Sequence, residues 1–400
     1  MSDFQMRQGW VGIDNRANEK RVPEGFVRDM VNLDPLVGGA LGMRSGFEKI
    51  ASATAARGLL SVRNRLVFVD GDQLISIDAN TGTGGAIATV DGAGRVVGDV
   101  MNEELFLCTE TQRLRYDGST LRRWGVPTVT AQPVPTILAG GLAPGAYQVA
   151  ITYLDSHGDE GATTSPLIVP LSNPGALAFV GLSAPDGGKV RLYVGPNQGA
   201  TLYLQFEGTG DFIVGNLRDD TARLDLINLR EPPVADRIQA RHGVLYCAVG
   251  NVLWFTLPMR PHLMDAKKGF FQYPTDVDVL ASVPGGVYVC ADRTYFLSNT
   301  ETGDVQQAVK LEHGAVAGTQ TTLPDGRVAW MTQYGMAIGD WTGDVRLVSM
   351  EHFVPELAGQ GASGMVESNG NQMVVTTLSP TGAGNPLAAN DYYDGEIVTP

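Results

Sequence analysis

Residues 64–78, NRLVFVDGDQLISID, hold an apolar run at 66–69, an Asp70-Gly71-Asp72 break, and then Leu74, Ile75 and Ile77. That pattern encodes two short strands and a tight turn, because Gly accepts the positive φ that a tight hairpin needs. One hairpin cannot bury its own apolar face, so the constraint lies in its recurrence. The unit returns at 103–117, with Leu105-Phe106-Leu107-Cys108 as the apolar run, and at 244–256, 287–299 and 328–340. A weaker copy lies at 373–377. Leu66 and Leu105 are 39 residues apart, and the steps from Val244 through Val287 and Val328 to Met373 are 43, 41 and 45. Strand pairs at this period, without a helical pattern, are what β-propeller blades give. The step from Leu105 to Val244 is 139 residues, one period plus the length of a small domain. The expected fold is all-β: a six-bladed β-propeller with a domain inserted after its second blade.

Composition agrees with many tight turns and few helices: the 400 residues include 50 Gly and 22 Pro. No apolar run approaches eighteen residues, and MSDFQMRQGW lacks the basic-then-apolar order of a signal peptide. The expectation is a chain made in the cytoplasm and kept there or in something assembled there, without membrane insertion. Cys108, Cys247 and Cys290 each occupy the fourth position of a repeat's apolar strand. Equivalent positions on different blades suit neither close-spaced metal ligands nor a disulfide, and the expectation is buried core. Net charge is −14, which argues against a protein that grips nucleic acid through its phosphates.

The chain is expected to divide into an extended arm at 1–50, propeller at 51–126, the insert at 127–233, propeller again at 234–377, and an extended segment at 378–400. Proline-rich stretches at 127–135 and 231–233 bracket the insert. About seven short strands in about a hundred residues make a β-sandwich, expected to be separable from the blades. The wording from Gly145 to Gly158, G-x-Y-x-V-x-x-T-Y-x-D-x-x-G, resembles a fibronectin type III-like module. Asp155, Asp159 and Glu160 sit in its Gly-rich loop. Clustered carboxylates can bind calcium, but the spacing is not that of an EF-hand loop, and a plain turn is expected.

The arm is turn-rich and polar, with expected turns at Gly38-Gly39 and Ser45-Gly46. It packs across its own blades or serves as an assembly arm on a neighbouring subunit. Its order Gly12-Ile13-Asp14, Pro23-Glu24-Gly25, Arg28-Asp29, Asn32-Leu33-Asp34, Gly39-Ala40-Leu41, Arg44-Ser45-Gly46-Phe47 resembles the opening of tailed-bacteriophage tail nozzle or DNA-stabilisation propeller proteins. The aromatic strand and proline-rich loop at 251–265 resemble them too. The resemblance covers residues 10–50 and, more loosely, the blades to about 350. It implies a structural virion protein in the tail, below the portal and adaptor, forming a ring, expected to be a homohexamer, through which DNA is retained and ejected. The implied partners are further copies, the adaptor and portal complex, and tail fibre or spike proteins. Genomic DNA would pass without specific binding, along a wall expected to be acidic. The assembly residues the resemblance implies are Asp14, Arg28, Asn32, Asp34 and Arg44.

No chemistry competes strongly with a structural role. The five histidines are scattered, and no nucleophile elbow or phosphate-cradling loop occurs. Pairs such as Asp276 and Asp278 could serve a glycosidase, yet alternate residues of one strand commonly face solvent together. No cofactor and no enzymatic activity are expected. The alternatives are a receptor- or glycan-binding propeller at the tail tip, using aromatics near Trp254 or Trp341, and a glycan-cleaving propeller.

Overall fold

The computed structural model describes residues 9–17, 21–36, 39–44, 46, 49–91, 94–300, 304–368, 371–382 and 384–388. The turns expected at Gly38 and Ser45, Phe47 of the arm motif, and the extended segment beyond 388 lie outside the described residues. The described chain is all-β, a series of small sheets, antiparallel apart from one short parallel pair. It falls into two compact units, Ala53–Gln272 and the residues on either side of that span.

In the first unit the hairpin at 64–78 forms as its turn chemistry dictates. Arg65–Asp70 pairs with Gln73–Asp78, and Gly71 stands at φ +63° between them. Ala56–Val62 and Gly84–Thr89 complete a four-stranded sheet. The next repeat gives Val97–Met101, Glu104–Cys108, Arg113–Tyr116 and Leu121–Arg123, again four strands in sequence order. A third sheet is built on Arg237–Arg241, Val244–Val249, Val252–Leu257 and Arg260–Asp265, with Leu229–Arg230 at one edge and Phe270–Gln272 pairing Val252–Leu257.

Strand alternation explains how these sheets stack. Successive side chains point to opposite faces, and Glu104–Cys108 is apolar on both. Leu105 and Leu107 join Val67, Val69 and Leu74 in one core, while Phe106 and Cys108 join Trp124, Ile238, Leu245 and Cys247 in another. A sheet covered on both faces reads as a continuous apolar run, which is why LFLC, VLYC and VYVC recur. Each fully buried large side chain contributes about 1.5–3 kcal/mol.

Between the second and third of these sheets the chain makes two more. Thr136–Leu142, Gly175–Leu182 and Gly210–Val214 form one, in that order; Leu167–Leu171, Gly145–Leu154, Lys189–Val194 and Tyr203–Gly208 form the other. Tyr147, Val149, Leu177, Phe179, Leu192 and Val214 share a single core between them.

The second unit carries Val279–Val283, Gly286–Cys290, Thr294–Ser298 and Gln306–Leu311 as one sheet. Thr321–Thr322, Val328–Thr332, Gly335–Gly339 and Val345–Leu347 form the next. Tyr288, Cys290 and Phe296 pack with Val328, Trp330 and Ala337 between them. The last repeat is short, with two strands. Residues 373–377 lie in Asn371–Pro380, which pairs with the preceding Ala358–Ser368 in a two-stranded ribbon and not in a four-stranded blade. The sequence after Pro380 holds Gly382, Gly384 and Pro386, so 373–377 finds its partner upstream.

Candidate assembly surfaces

The arm is built from short pairings that side chains lock in place. Gly12–Ile13 runs parallel to Phe26–Val27. Asp14 follows at once and is buried, although charged. Its Oδ1 accepts the backbone N–H groups of Arg16 and Ala17, an Asx-type turn, and its Oδ2 lies 2.9 Å from His352 Nδ1. Burial opposes ionisation of this carboxyl, but the N–H groups and the His352 ring outweigh it, so its pKa falls below the ordinary value. Asn15 adds a two-way amide contact: its Nδ2 donates to Val354 O and its Oδ1 accepts Val354 N–H. Arg16 donates to Met350 O, and the Phe26 ring lies 4.5 Å from that of His352. Asp14, Asn15, Arg16 and Phe26 thus contact residues 350–354 of the same chain.

Asn32, Asp34 and Arg44 meet in a second place. Leu33–Pro35 pairs with Leu41–Met43, Arg44 N–H donates to Asn32 O, and Arg44 Nε lies 2.8 Å from Asp34 Oδ1. Asn32 takes a left-handed φ of +56°, a region Asn tolerates better than most residues. Arg28 is half-buried just beyond Phe26–Val27. The five residues therefore do not converge on one site: Asp14 is an internal tether, and Asn32, Asp34 and Arg44 shape a hairpin. The signal that sequence reasoning missed is His352, which no motif ties to Asp14.

The carboxylates at 155–160 are fully employed. Asp155 Oδ1 accepts the N–H groups of His157 and Asp159. Asp159 lies 3.0 Å from Arg115 Nη1 and 3.5 Å from His262 Nδ1. Glu160 accepts from Thr152, from Arg191 at 2.6 Å and from Tyr193 OH at 2.8 Å. Its oxygens face cations and hydroxyls, an arrangement that turns a loop into a brace. Among the described residues no group of three or more His, Cys, Asp or Glu could hold a metal ion.

The brace ties the two-sheet module to the sheet at 97–123. Arg115 also pairs with Glu104, which Arg122 reaches at 3.1 Å. Arg113 and Arg123 hold Glu231 at 2.8 and 2.9 Å, and Arg113 also donates to Pro232 O. Trp124 Nε1 donates to Pro261 O, and Leu263 packs with Ala162 and Leu226. Burial pushes the His262 imidazole pKa down, against the opposing charge of Asp159.

Of the aromatics, Trp254 is half-buried against Phe270, so it serves packing. Trp341 is exposed and donates Nε1 to Asp325 O.

No protein-family model matches this chain, and no curated protein matches it in sequence. Solved structures give distant likenesses. A streptogramin B lyase is 9% identical, with a TM-score of 0.31, covering 74% of this chain and 82% of that one. Apo AztD from Citrobacter koseri is 8% identical, TM-score 0.31, covering 73% and 71%. The N-terminal domain of Nup159 is 10% identical, TM-score 0.29, covering 86% and 76%. At such scores none of these likenesses carries an argument about this chain.

Proposed function

We propose that this chain is a structural subunit of a phage tail, a ring-forming nozzle below the portal and adaptor through which the genome leaves. The finer reading of its fold is a six-bladed β-propeller, with the ribbon at 358–380 as a reduced sixth blade and a fibronectin type III-like insert. The observation that carries the proposal is the arm. Its motif residues are used for architecture: Asp14 and Asn15 bind 352–354, and Asp34 and Arg44 staple a hairpin. A segment spent this way is a building element and not a catalytic or ligand-gripping one.

Charge supports the same reading. Residues 1–50 hold seven Lys or Arg and seven Asp or Glu, so the whole net charge of −14 resides in 51–400. An acidic wall repels phosphates within roughly 8–10 Å at physiological salt and lets a duplex slide, whereas a basic wall would hold it. The test is a reconstruction of the assembled protein in its particle. A closed ring whose lumen is lined by Asp and Glu is expected. A single copy, or a lumen lined mainly by Lys and Arg, overturns the proposal.

A further inference from the structure

The two-sheet module treats its two sheets differently. In the four-stranded sheet both edges are blunted. Leu167–Leu171 carries Pro170, which has no N–H to offer. Tyr203–Gly208 is covered by 218–224: Leu204 N–H donates to Ala222 O, Thr221 Oγ1 donates to Leu204 O, and Gln205 Nε2 donates to Arg218 O. The three-stranded sheet has no such protection. Its edge strands are Thr136–Leu142 and Gly210–Val214, and among the described residues no backbone hydrogen bond joins the outer side of either to another segment.

These edges are also apolar. Thr136–Leu142 has neither charge nor proline, and Asp211 is the one charged residue in the three strands. Ile137 is 53% exposed, Val180 75% and Ile213 56%. The pairings shift register between Leu138 and Leu142 and between Phe179 and Leu182, yet both edges stay uncovered, and a bare edge with a single charge beside an apolar face is a template for pairing with another strand.

We infer that Gly210–Val214 of one copy docks along Thr136–Leu142 of the next, continuing the three-stranded sheet from copy to copy. The edges require a strand whose charges are already partnered, since a bare charge laid there would be desolvated; the one charge at these edges, Asp211, accepts Gly181 N–H. The chain itself offers such a strand at the opposite edge of the same sheet. Both edge strands run antiparallel to Gly175–Leu182 and so point the same way, which lets one copy follow another without refolding. Copies carrying −14 each repel on balance, and this seam brings together strands with a single charged residue, Asp211, between them. Because the contact joins two different patches, it repeats, and it closes into a ring where the rotation permits. The inference thus rests on the side-by-side assembly proposed above and names the strands that perform it.

The test measures full-length protein by light scattering and electron microscopy, with hydrogen exchange on the assembled species. Wild type is expected to assemble with slow amide exchange at 136–140 and 210–214 together. Leu138→Lys with Ile213→Lys is expected to raise the concentration needed for assembly by about tenfold or more while thermal unfolding stays unchanged. If that variant fails to fold, the wild-type exchange pattern decides alone. Rings whose two edges exchange freely, or a folded variant that assembles as wild type does, overturn the inference and leave the ring reading standing. Open chains with both edges protected do the reverse. A wild type that stays monomeric overturns both.

Discussion

Asp14 and His352 are 338 residues apart in sequence, and Oδ2 of one lies 2.9 Å from Nδ1 of the other. The contact sits where the parallel pair Gly12–Ile13 and Phe26–Val27 ends, so it fixes the arm to the chain's last third. A buried carboxylate holding two backbone N–H groups and an imidazole is costly to leave half-satisfied.

Asp14→Ala is therefore expected to loosen the arm, by about 1.5–3 kcal/mol for a hydrogen-bonded charged group. Protease cleavage within 9–30 should accelerate while the strands at 279–347 stay protected. The pH dependence has a definite sign. The folded carboxyl titrates below its ordinary value of 3.8, so its stabilisation is complete above that value and is lost as pH falls through the lower folded one. Arm protection that is flat down to pH 3, or unchanged in the variant, would contradict this role.

His262 behaves in the same direction for another reason. Burial lowers its pKa below 6.5, with Asp159 and Asp155 opposing and Arg115 and Arg260 assisting. The unfolded chain then binds the proton more readily, so this group's contribution is complete above pH 6.5 and declines as pH falls toward the folded value. His262→Gln should flatten the fall of the unfolding temperature between pH 6.5 and 5. A slope equal to that of wild type would show that other groups carry it.

The repeats were legible because each hairpin declares itself locally: VDGDQ, with Gly at the turn, gives the register Asp70↔Gln73 that the structure has. Stacking was legible too, since a run such as Leu105-Phe106-Leu107-Cys108 demands cover on both faces. For the last repeat, strand propensity marks 373–377, while the length of its pairing with Ala358–Ser368 depends on register that propensity does not carry. The tether was illegible for a similar reason. Asp14 begins a local Asx-type turn, yet its choice of His352 depends on tertiary placement. The separation of Asn32, Asp34 and Arg44 from Asp14 could not be read from spacing alone.

The three cysteines give a chemical readout of the stacked cores. Burial pushes the Cys108 thiol up to about 11 and Cys290 to about 12, and it raises Cys247 well above the ordinary value. The thiolate is the reactive form, so a thiol reagent at pH 8 should label none of them in the folded protein and all three in denaturant. Replacing all three with Ala should cost about 1–3 kcal/mol in total through lost packing, read from the denaturant midpoint. Rapid labelling of Cys108 in native protein would mean that the core it shares with Cys247 opens readily.

The two-sheet module is braced more firmly than its proline-rich boundaries suggest. Val129 N–H donates to Ala162 O, Glu231 lies between Arg113 and Arg123, and Asp159 reaches Arg115. Replacing 128–232 with a short Gly-Ser linker costs little as loop closure. It nevertheless strips Arg113 of Glu231, leaves Arg115 with Glu104 but without Asp159, and uncovers Leu263, which is buried against Ala162 and Leu226. Uncovering Leu263 alone is worth about 1.5–3 kcal/mol by area, and a half-buried guanidinium left without its partner adds to that. The deletion is thus expected to fold with a lowered urea midpoint. Adding Leu263→Gln and Arg113→Gln should recover part of the loss, because they remove the uncovered apolar group and the orphaned charge. In intact protein, protease should cut slowly at 127–135 and 231–233. Fast cleavage there, or a deletion with the full wild-type midpoint, would show that the brace contributes nothing to the sheets on either side.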